Sequence, residues 1–434
     1  MSHNKTKLDY RSMVVGVDEK VPIRGRKVTA AINFDNAATT PPLKYVLEEI
    51  GSFSKYYSSI HRGTGFKSVF SSKLYEDSRK TICKFVHCNP DKNTVIYVKN
   101  ATEAINKLSY AFSNLEKDCI VLSTRMEHHS NDLPWRNKFK VDYIDVDETG
   151  RLLVEDLKSK LKKYGGKVKL VCVTGASNVT GYKNPIYKIA SICHRYGAKI
   201  LVDGAQLVPH YPIYMESSKK DEEIDFLVFS AHKMYAPFGI GVLIGPKEFF
   251  MQAEPDYVGG GTIDIVTDDS VTWAKPPDKN EAGTPNVMGV IALTASIHTL
   301  MKLGMKNIDK YEMDIYNYAL SELKKIPGVT IYCDTDSPRD KVAILPFNID
   351  GVYHEETAKL LSQMSGIAVR SGCFCAHPYV RRLLKIPTEE MKFYQDNKSA
   401  KRPGIVRLSF SFYNTYSEVD VLVKTIKKII KNKS

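Results

Sequence analysis

Between positions 94 and 241 the chain alternates short runs rich in Val and Ile with amphipathic stretches, and this rhythm constrains the fold more than any other feature. The runs at 94–98, 119–123, 141–146, 168–173, 199–202 and 226–229 read as strands. Those at 102–111, 153–163 and 186–196 carry apolar residues at three-to-four spacing and read as helices. Repeated alternation of this kind argues for an α/β fold with a mainly parallel sheet clad by helices. In such sheets ligands collect beyond the carboxyl ends of the strands.

At 434 residues the chain exceeds one compact core. A Gly-, Pro- and Asp-rich stretch at 253–285 reads as a long loop, and the pattern changes after it. Helices are expected at 287–301, 308–325 and 354–364, strands at 329–333, 342–347, 367–370 and 405–410, and a helix at the end. We therefore expect an irregular arm at 1–30, a large α/β domain at 31–285 and a smaller α+β domain at 286–434.

Two strand ends carry chemistry. The run at 226–229 delivers Ser230, His232 and Lys233 onto a turn, and the run at 200–202 ends on Asp203-Gly-Ala-Gln206. A lysine just beyond a buried strand is poorly placed to serve solubility. An Asp and a Lys at the ends of two such strands is what pyridoxal 5'-phosphate requires. The lysine forms a Schiff base, and the carboxylate keeps the pyridine nitrogen protonated so that the ring accepts electrons.

Composition narrows the remaining classes. A hydrophobic content of 43% and a charged content of 26% are those of a soluble globular protein. No apolar run reaches the roughly 20 residues that span a bilayer, so no membrane is expected. Residues 1–10 contain no apolar core of a secretory signal, and a cytoplasmic location is the expectation. The formal charge of +13 raises the question of nucleic acid. The lysines are spread along the chain, however, and the dense run at 424–433 alternates with apolar residues at helical spacing. That is the pattern of a solvated helix face, so no nucleic-acid partner is expected. Of eight cysteines, most lie in apolar stretches and read as reduced core thiols. Only Cys373 and Cys375 fall in a glycine-containing polar loop, and with His377 they lack a fourth ligand, so no metal is expected.

Nine motifs follow one another from about residue 31 to 415: Phe34-Asp-Asn-Ala-Ala-Thr-Thr40, Asn100-Ala-Thr-Glu-Ala-Ile-Asn106, Met126-Glu-His-His-Ser-Asn-Asp-Leu-Pro-Trp135, Ala176-Ser-Asn-Val-Thr-Gly181, Val202-Asp-Gly-Ala-Gln206, Phe229-Ser-Ala-His-Lys233, Glu281-Ala-Gly-Thr-Pro-Asn286, Arg370-Ser-Gly-Cys-Phe-Cys-Ala376 and Arg407-Leu-Ser-Phe-Ser-Phe-Tyr-Asn-Thr415. Together they resemble the class V aminotransferase-like enzymes of fold type I, and most closely the group II cysteine desulfurases, the branch that includes selenocysteine lyases. The resemblance implies a pyridoxal phosphate enzyme that converts L-cysteine to L-alanine and passes sulfur to an acceptor protein, for instance in iron–sulfur cluster assembly.

It also implies residue roles. Lys233 holds the cofactor and shuttles a proton. Asp203 pairs with the pyridine nitrogen, Gln206 and Asn178 face the phenolic oxygen, and His128 stacks on the ring, whereas His129 reads as structural. Ala101, Thr102, Ser230 and His232 form the phosphate cup, and Thr284 reaches it from the partner subunit of a homodimer. Arg407, with Arg370 and Asn36, receives the substrate, and Cys375 is the nucleophile. Transamination, epimerisation or selenocysteine cleavage on the same scaffold, with Cys375 not the nucleophile, stays open as the alternative. The chain departs from the family at two places. Asn100-Ala101-Thr102 stands where members usually carry Gly-Thr-Thr, which removes one hydroxyl from the cup. Cys373 and Phe374 stand where many carry two histidines.

Overall fold

The computed structural model describes residues 9–336 and 340–433. Seven strands form the central sheet: β1 (Asn93–Val98), β2 (Ile120–Thr124), β3 (Lys140–Ile144), β4 (Val168–Thr174), β5 (Lys199–Asp203), β6 (Phe226–Ser230) and β7 (Gly241–Pro246). Their order is β1-β7-β6-β5-β4-β2-β3. Strands β2 to β6 are mutually parallel, and β7 runs antiparallel between β1 and β6. The strands are apolar on both faces because both are covered. Val95 and Tyr97 enter one core and Ile96 and Val98 the other; Leu227 and Phe229 are likewise divided from Phe226 and Val228.

Helices α1 (Lys44–Ser54), α2 (Phe66–Val86), α4 (Val154–Tyr164) and α5 (Ile186–Arg195) cover the first face, and α3 (Ala101–Leu115) covers the second. The boundary expected at 286 does not match the packing. Helix α6 (Val287–Leu303) is apolar nearly all round, and its buried residues lie in the first core of the large sheet. Helix α7 (Met305–Lys324) leaves that core and carries Ile315, Ala319 and Leu323 into a second one.

This second core lies under a four-stranded antiparallel sheet of β8 (Val329–Ile331), β9 (Ile344–Ile349), β10 (Arg370–Gly372) and β11 (Ile405–Ser409), in the order β8-β9-β11-β10. The single strand expected at 367–370 is two pieces. Ile367–Ala368 pairs in parallel with Ile32–Asn33, and the chain then turns so that Arg370 pairs with Arg407. The N-terminal segment is thus bound into the second half of the molecule. It is also less irregular than expected, because Lys20–Ile23 and Lys27–Ala30 form a hairpin. Its polar, half-exposed strands lack the apolar alternation that would have betrayed them. Residues 1–8 of the expected arm lie outside the described residues. The stretch at 253–285 likewise contains a short hairpin, Ile263–Val266 with Val271–Trp273.

Helix α8 (His354–Ser365) precedes the split strand, while α9 (His377–Leu383) and α10 (Thr388–Asp396) follow the cysteine loop. The terminal helix α11 (Tyr416–Lys433) buries Val419, Leu422, Val423, Ile426 and Ile429 and turns Lys424, Lys427, Lys428 and Lys431 outward, as its spacing implied.

Candidate active site

A cavity of about 280 Å³ opens beyond the carboxyl ends of β1, β2, β4, β5 and β6. Its lining includes Ala101, Thr102, His128, Asn178, Asp203, Gln206, Ser230, His232, Lys233, Arg370, Cys375 and Arg407. Twelve of the fourteen residues expected at the site are therefore brought together, and Asn36 and Thr284 are not.

Asp203 closes β5 and is buried, with Oδ1 accepting the Ala205 N–H at 3.0 Å. Burial pushes its carboxyl up, and Lys233 opposes this. The same removal from water draws the Lys233 ammonium down to about 8, against the pull of Asp203. The turn bearing Lys233 is clasped by the N-terminal segment: Thr39 Oγ1 and the Thr40 N–H both donate to the His232 carbonyl at 2.9 Å.

Gln206 donates from Nε2 to the Ala37 carbonyl at 2.7 Å, while its buried Oε1 has no partner within the described residues. A buried polar atom left open toward a cavity marks a place for a ligand group. His128 is pulled down to about 4 by burial and by Lys233, so its ring is neutral. Its Nδ1 accepts the Ser130 N–H at 3.1 Å, which leaves the proton on Nε2.

Beside it, the first turn of α3 points its positive end toward the cavity, with the Thr102 N–H left open among the described residues. Asn100 caps this helix by accepting the Glu103 N–H at 3.0 Å, and the Ala101 N–H donates to Ser230 Oγ at 2.8 Å. This loop passes directly over β7. A Cβ on Gly241 would meet the Asn100 Cα at 2.6 Å, so glycine is required there. Where Asn100-Ala101-Thr102 lacks a hydroxyl, the fold brings one from a residue to which the motifs assign no role: Ser130 Oγ lies 2.7 Å from Thr102 Oγ1 and lines the cavity.

Glu127 was also overlooked. It is wholly buried, pushed up to about 8 by desolvation, and accepts from Thr124 Oγ1, the Thr174 N–H and Asn131 Nδ2. It ties the ends of β2 and β4 together and so sets the place of His128.

On the opposite wall Arg407 is 3% exposed. Its guanidinium donates to Asp35 Oδ1 at 3.1 Å and the Asn178 carbonyl at 2.9 Å and lies 4.9 Å from the Phe374 ring centre, and its buried Nε has no partner within the described residues. Burial lowers its pKa to about 10. Arg370, 52% exposed, pairs with the same Asp35 at 2.9 Å.

Asn36, expected to touch substrate, is instead spent on the fold. It donates to the Asn33 and Ser409 carbonyls and accepts from the Tyr413 hydroxyl, which anchors the turn that carries Asp35. Thr284 lines a different concavity, together with Ser59, His61 and Arg62.

Cys375 is the most exposed of the cysteines and stands at the cavity on a strained turn. Phe374 and Cys375 have φ of 50° and 54°, a region that costs a side-chain-bearing residue roughly 1–2 kcal/mol each. The large domain holds the turn in place. Asn178 Nδ2 donates to the Phe374 carbonyl and the His129 N–H to the Cys375 carbonyl, both at 2.7 Å, and His129 Nε2 accepts the His377 N–H at 3.3 Å. His129 is thus structural, as expected.

The donor set fits pyridoxal phosphate: an amine and a carboxylate at the cavity floor, an amide toward the phenolic oxygen, a neutral ring, and a helix start with hydroxyls for a dianion. Residues 32–422 match the family model described as aminotransferase class-V. The chain is 34% identical over 417 residues to a probable cysteine desulfurase of Halalkalibacterium halodurans, covering 94% of this chain and 95% of that one. It is 32% identical over 432 residues to a cysteine desulfurase of Escherichia coli, with 96% and 99% covered. A solved cysteine desulfurase of Thermococcus onnurineus superposes with a TM-score of 0.82 at 30% identity, over 93% of this chain and 95% of that one. Another, from Escherichia coli in an S-sulfonic acid form, gives 0.81 at 27% identity, over 97% and 98%. The fold, the strand-end residues and the near-complete overlap agree, and this chain belongs to the class V aminotransferase family, on its cysteine desulfurase branch.

Proposed function

We propose that this protein is a pyridoxal phosphate-dependent cysteine desulfurase that converts L-cysteine to L-alanine and takes up the sulfur as a persulfide on Cys375. One observation carries the reading: a clamped turn presents Cys375 to the cavity that also holds Lys233 and Asp203. When bound, pyridoxal phosphate supplies an electron sink that loosens the bonds around the substrate Cα.

The chain does the rest. Asp203 would hold the pyridine nitrogen, Gln206 and Asn178 would serve the phenolic oxygen, and the neutral His128 ring would stand beside the cofactor. The start of α3, with Thr102, Ser130, Ser230 and His232, takes the phosphate. Arg407 grips the substrate carboxylate, with Arg370 beside it at the mouth. Lys233, held near neutrality, moves the proton at Cα. The Cys375 thiolate attacks the substrate sulfur, so that the S–S bond forms as the Cβ–S bond breaks. The product persulfide then serves a sulfur-acceptor protein, such as one of iron–sulfur cluster assembly.

We place the enzyme in the cytoplasm as a homodimer. Exposed Tyr257, Val258, Ile265 and Val266 lie on the loop and hairpin beside the concavity of Thr284, an apolar surface of the kind a second subunit covers. Thr284 would then complete the phosphate cup of the other subunit.

Purified protein given L-cysteine and a reductant is expected to release alanine and sulfide in equal amounts. A yellow protein that makes neither would overturn the reading.

A second expectation concerns pH. Only a neutral amine captures an aldehyde, and Lys233 loses its proton at about 8. The rate at which cofactor-free protein binds added pyridoxal phosphate should therefore rise with pH and reach half its maximum near that value. A rate indifferent to pH from neutral to alkaline would contradict the burial of this lysine.

A further inference from the structure

We propose that Cys373 is a second sulfur carrier, charged from Cys375 and discharged through a separate opening of the protein. This role rests on the desulfurase reading and concerns the fate of the sulfur after its first transfer.

The two thiols occupy one turn, closed by the Ala376 N–H donating to the Cys373 carbonyl at 2.8 Å. They open on different sides of it. Cys375 lines the cofactor cavity, whereas Cys373 lines a second cavity, of about 330 Å³, enclosed by α9, α10 and the approach to β11. Val380, Ile386 and Met391 make that cavity apolar, and His377 and Arg402 bring basic groups to it. Cys373 donates its S–H to the Pro403 carbonyl at 3.6 Å, a weak bond that is easily given up. Only Phe374 separates the two cysteines along this turn.

The transfer is a thiol–persulfide exchange and needs no oxidant or reductant. The Cys373 thiolate attacks the outer sulfur of the Cys375 persulfide, a new S–S bond forms on Cys373, and the old one breaks to free Cys375 as thiolate. At rest, burial holds the Cys373 thiol protonated, with Arg402 opposing. The exchange balances its own proton, because the one given up by Cys373 is taken by the Cys375 thiolate that is freed. Cys375 is thereby rearmed for another substrate while the first sulfur waits at the second opening. The apolar walls and basic groups there suit an acidic acceptor segment with an apolar anchor.

The test needs no acceptor. Holoenzyme is mixed with excess L-cysteine without reductant, alanine is followed through the burst, and sulfane sulfur is located by alkylation and peptide mass spectrometry. The expected burst is about two alanines per subunit, with sulfur on both cysteines, falling to about one in Cys373→Ser with sulfur on Cys375 alone. In Cys375→Ser neither position is charged. A wild-type burst of about one, with all sulfur on Cys375, overturns the inference and leaves the desulfurase standing. Sulfur on Cys373 in Cys375→Ser overturns the order of transfer, and a wild type with neither alanine nor persulfide removes both readings.

Discussion

Lys233→Ala is expected to lower turnover of L-cysteine by about four orders of magnitude. The variant loses both the group that binds the cofactor covalently and the group that moves the proton at Cα, and among the described residues no other amine lines the cavity. The fold should survive, because the deletion removes a charge from a site where burial already disfavours it. Cofactor should still be drawn in by Asp203 and the start of α3, without the absorbance of the bound form. Steady-state alanine release and the absorption spectrum of the reconstituted variant decide the matter. A variant that kept more than about a hundredth of the activity would take Lys233 out of the proton transfer.

The second large effect is that of Cys375→Ala: formation of sulfide and persulfide should fall by about a thousandfold, with cofactor binding and stability close to wild type. The turn is held through the carbonyls of Phe374 and Cys375 and through His377, none of which the substitution touches. Alanine at φ 54° is no more strained than cysteine, so the loop keeps its shape. The outcome separates reactions, because a transaminase or epimerase built on these residues would keep its turnover in this variant. Alanine and sulfide released at the wild-type rate would instead take Cys375 out of the reaction and return the protein to the selenocysteine-lyase alternative, in which it is not the nucleophile.

The parts of this site that sequence made legible obey local rules. Lys233, Asp203, His128 and Ser230 each stand at or just past the end of an apolar run, and a parallel sheet gathers such ends on one edge. The parts it concealed depend on pairings across the whole chain. Asp35, which balances Arg370 and Arg407, lies 372 positions from Arg407 and meets it only because Ile32–Asn33 pairs with Ile367–Ala368. Asn36 sits in a matching motif, yet its amide is consumed by carbonyls of that same junction. Ser130 and Glu127 were masked by the two histidines between them. Helix α6 follows the loop in sequence but is apolar on nearly every side, which only the interior of the large core accommodates.

The pairing of the N-terminal segment with the second half of the molecule bears on synthesis. The floor of the cavity, from Asn100 to Lys233, leaves the ribosome long before β11 does, whereas the turn at 35–37 must wait for Ser409 and Arg407 to arrive before it has a place to dock. Contacts of such separation form late because their loop entropy is met last. A nascent chain can thus build its amine and carboxylate pair while its carboxylate grip and sulfur-bearing turn do not yet exist. The reactive thiol is joined to the cofactor cavity only at the final closure of the molecule, and an unfinished chain cannot begin to release sulfur.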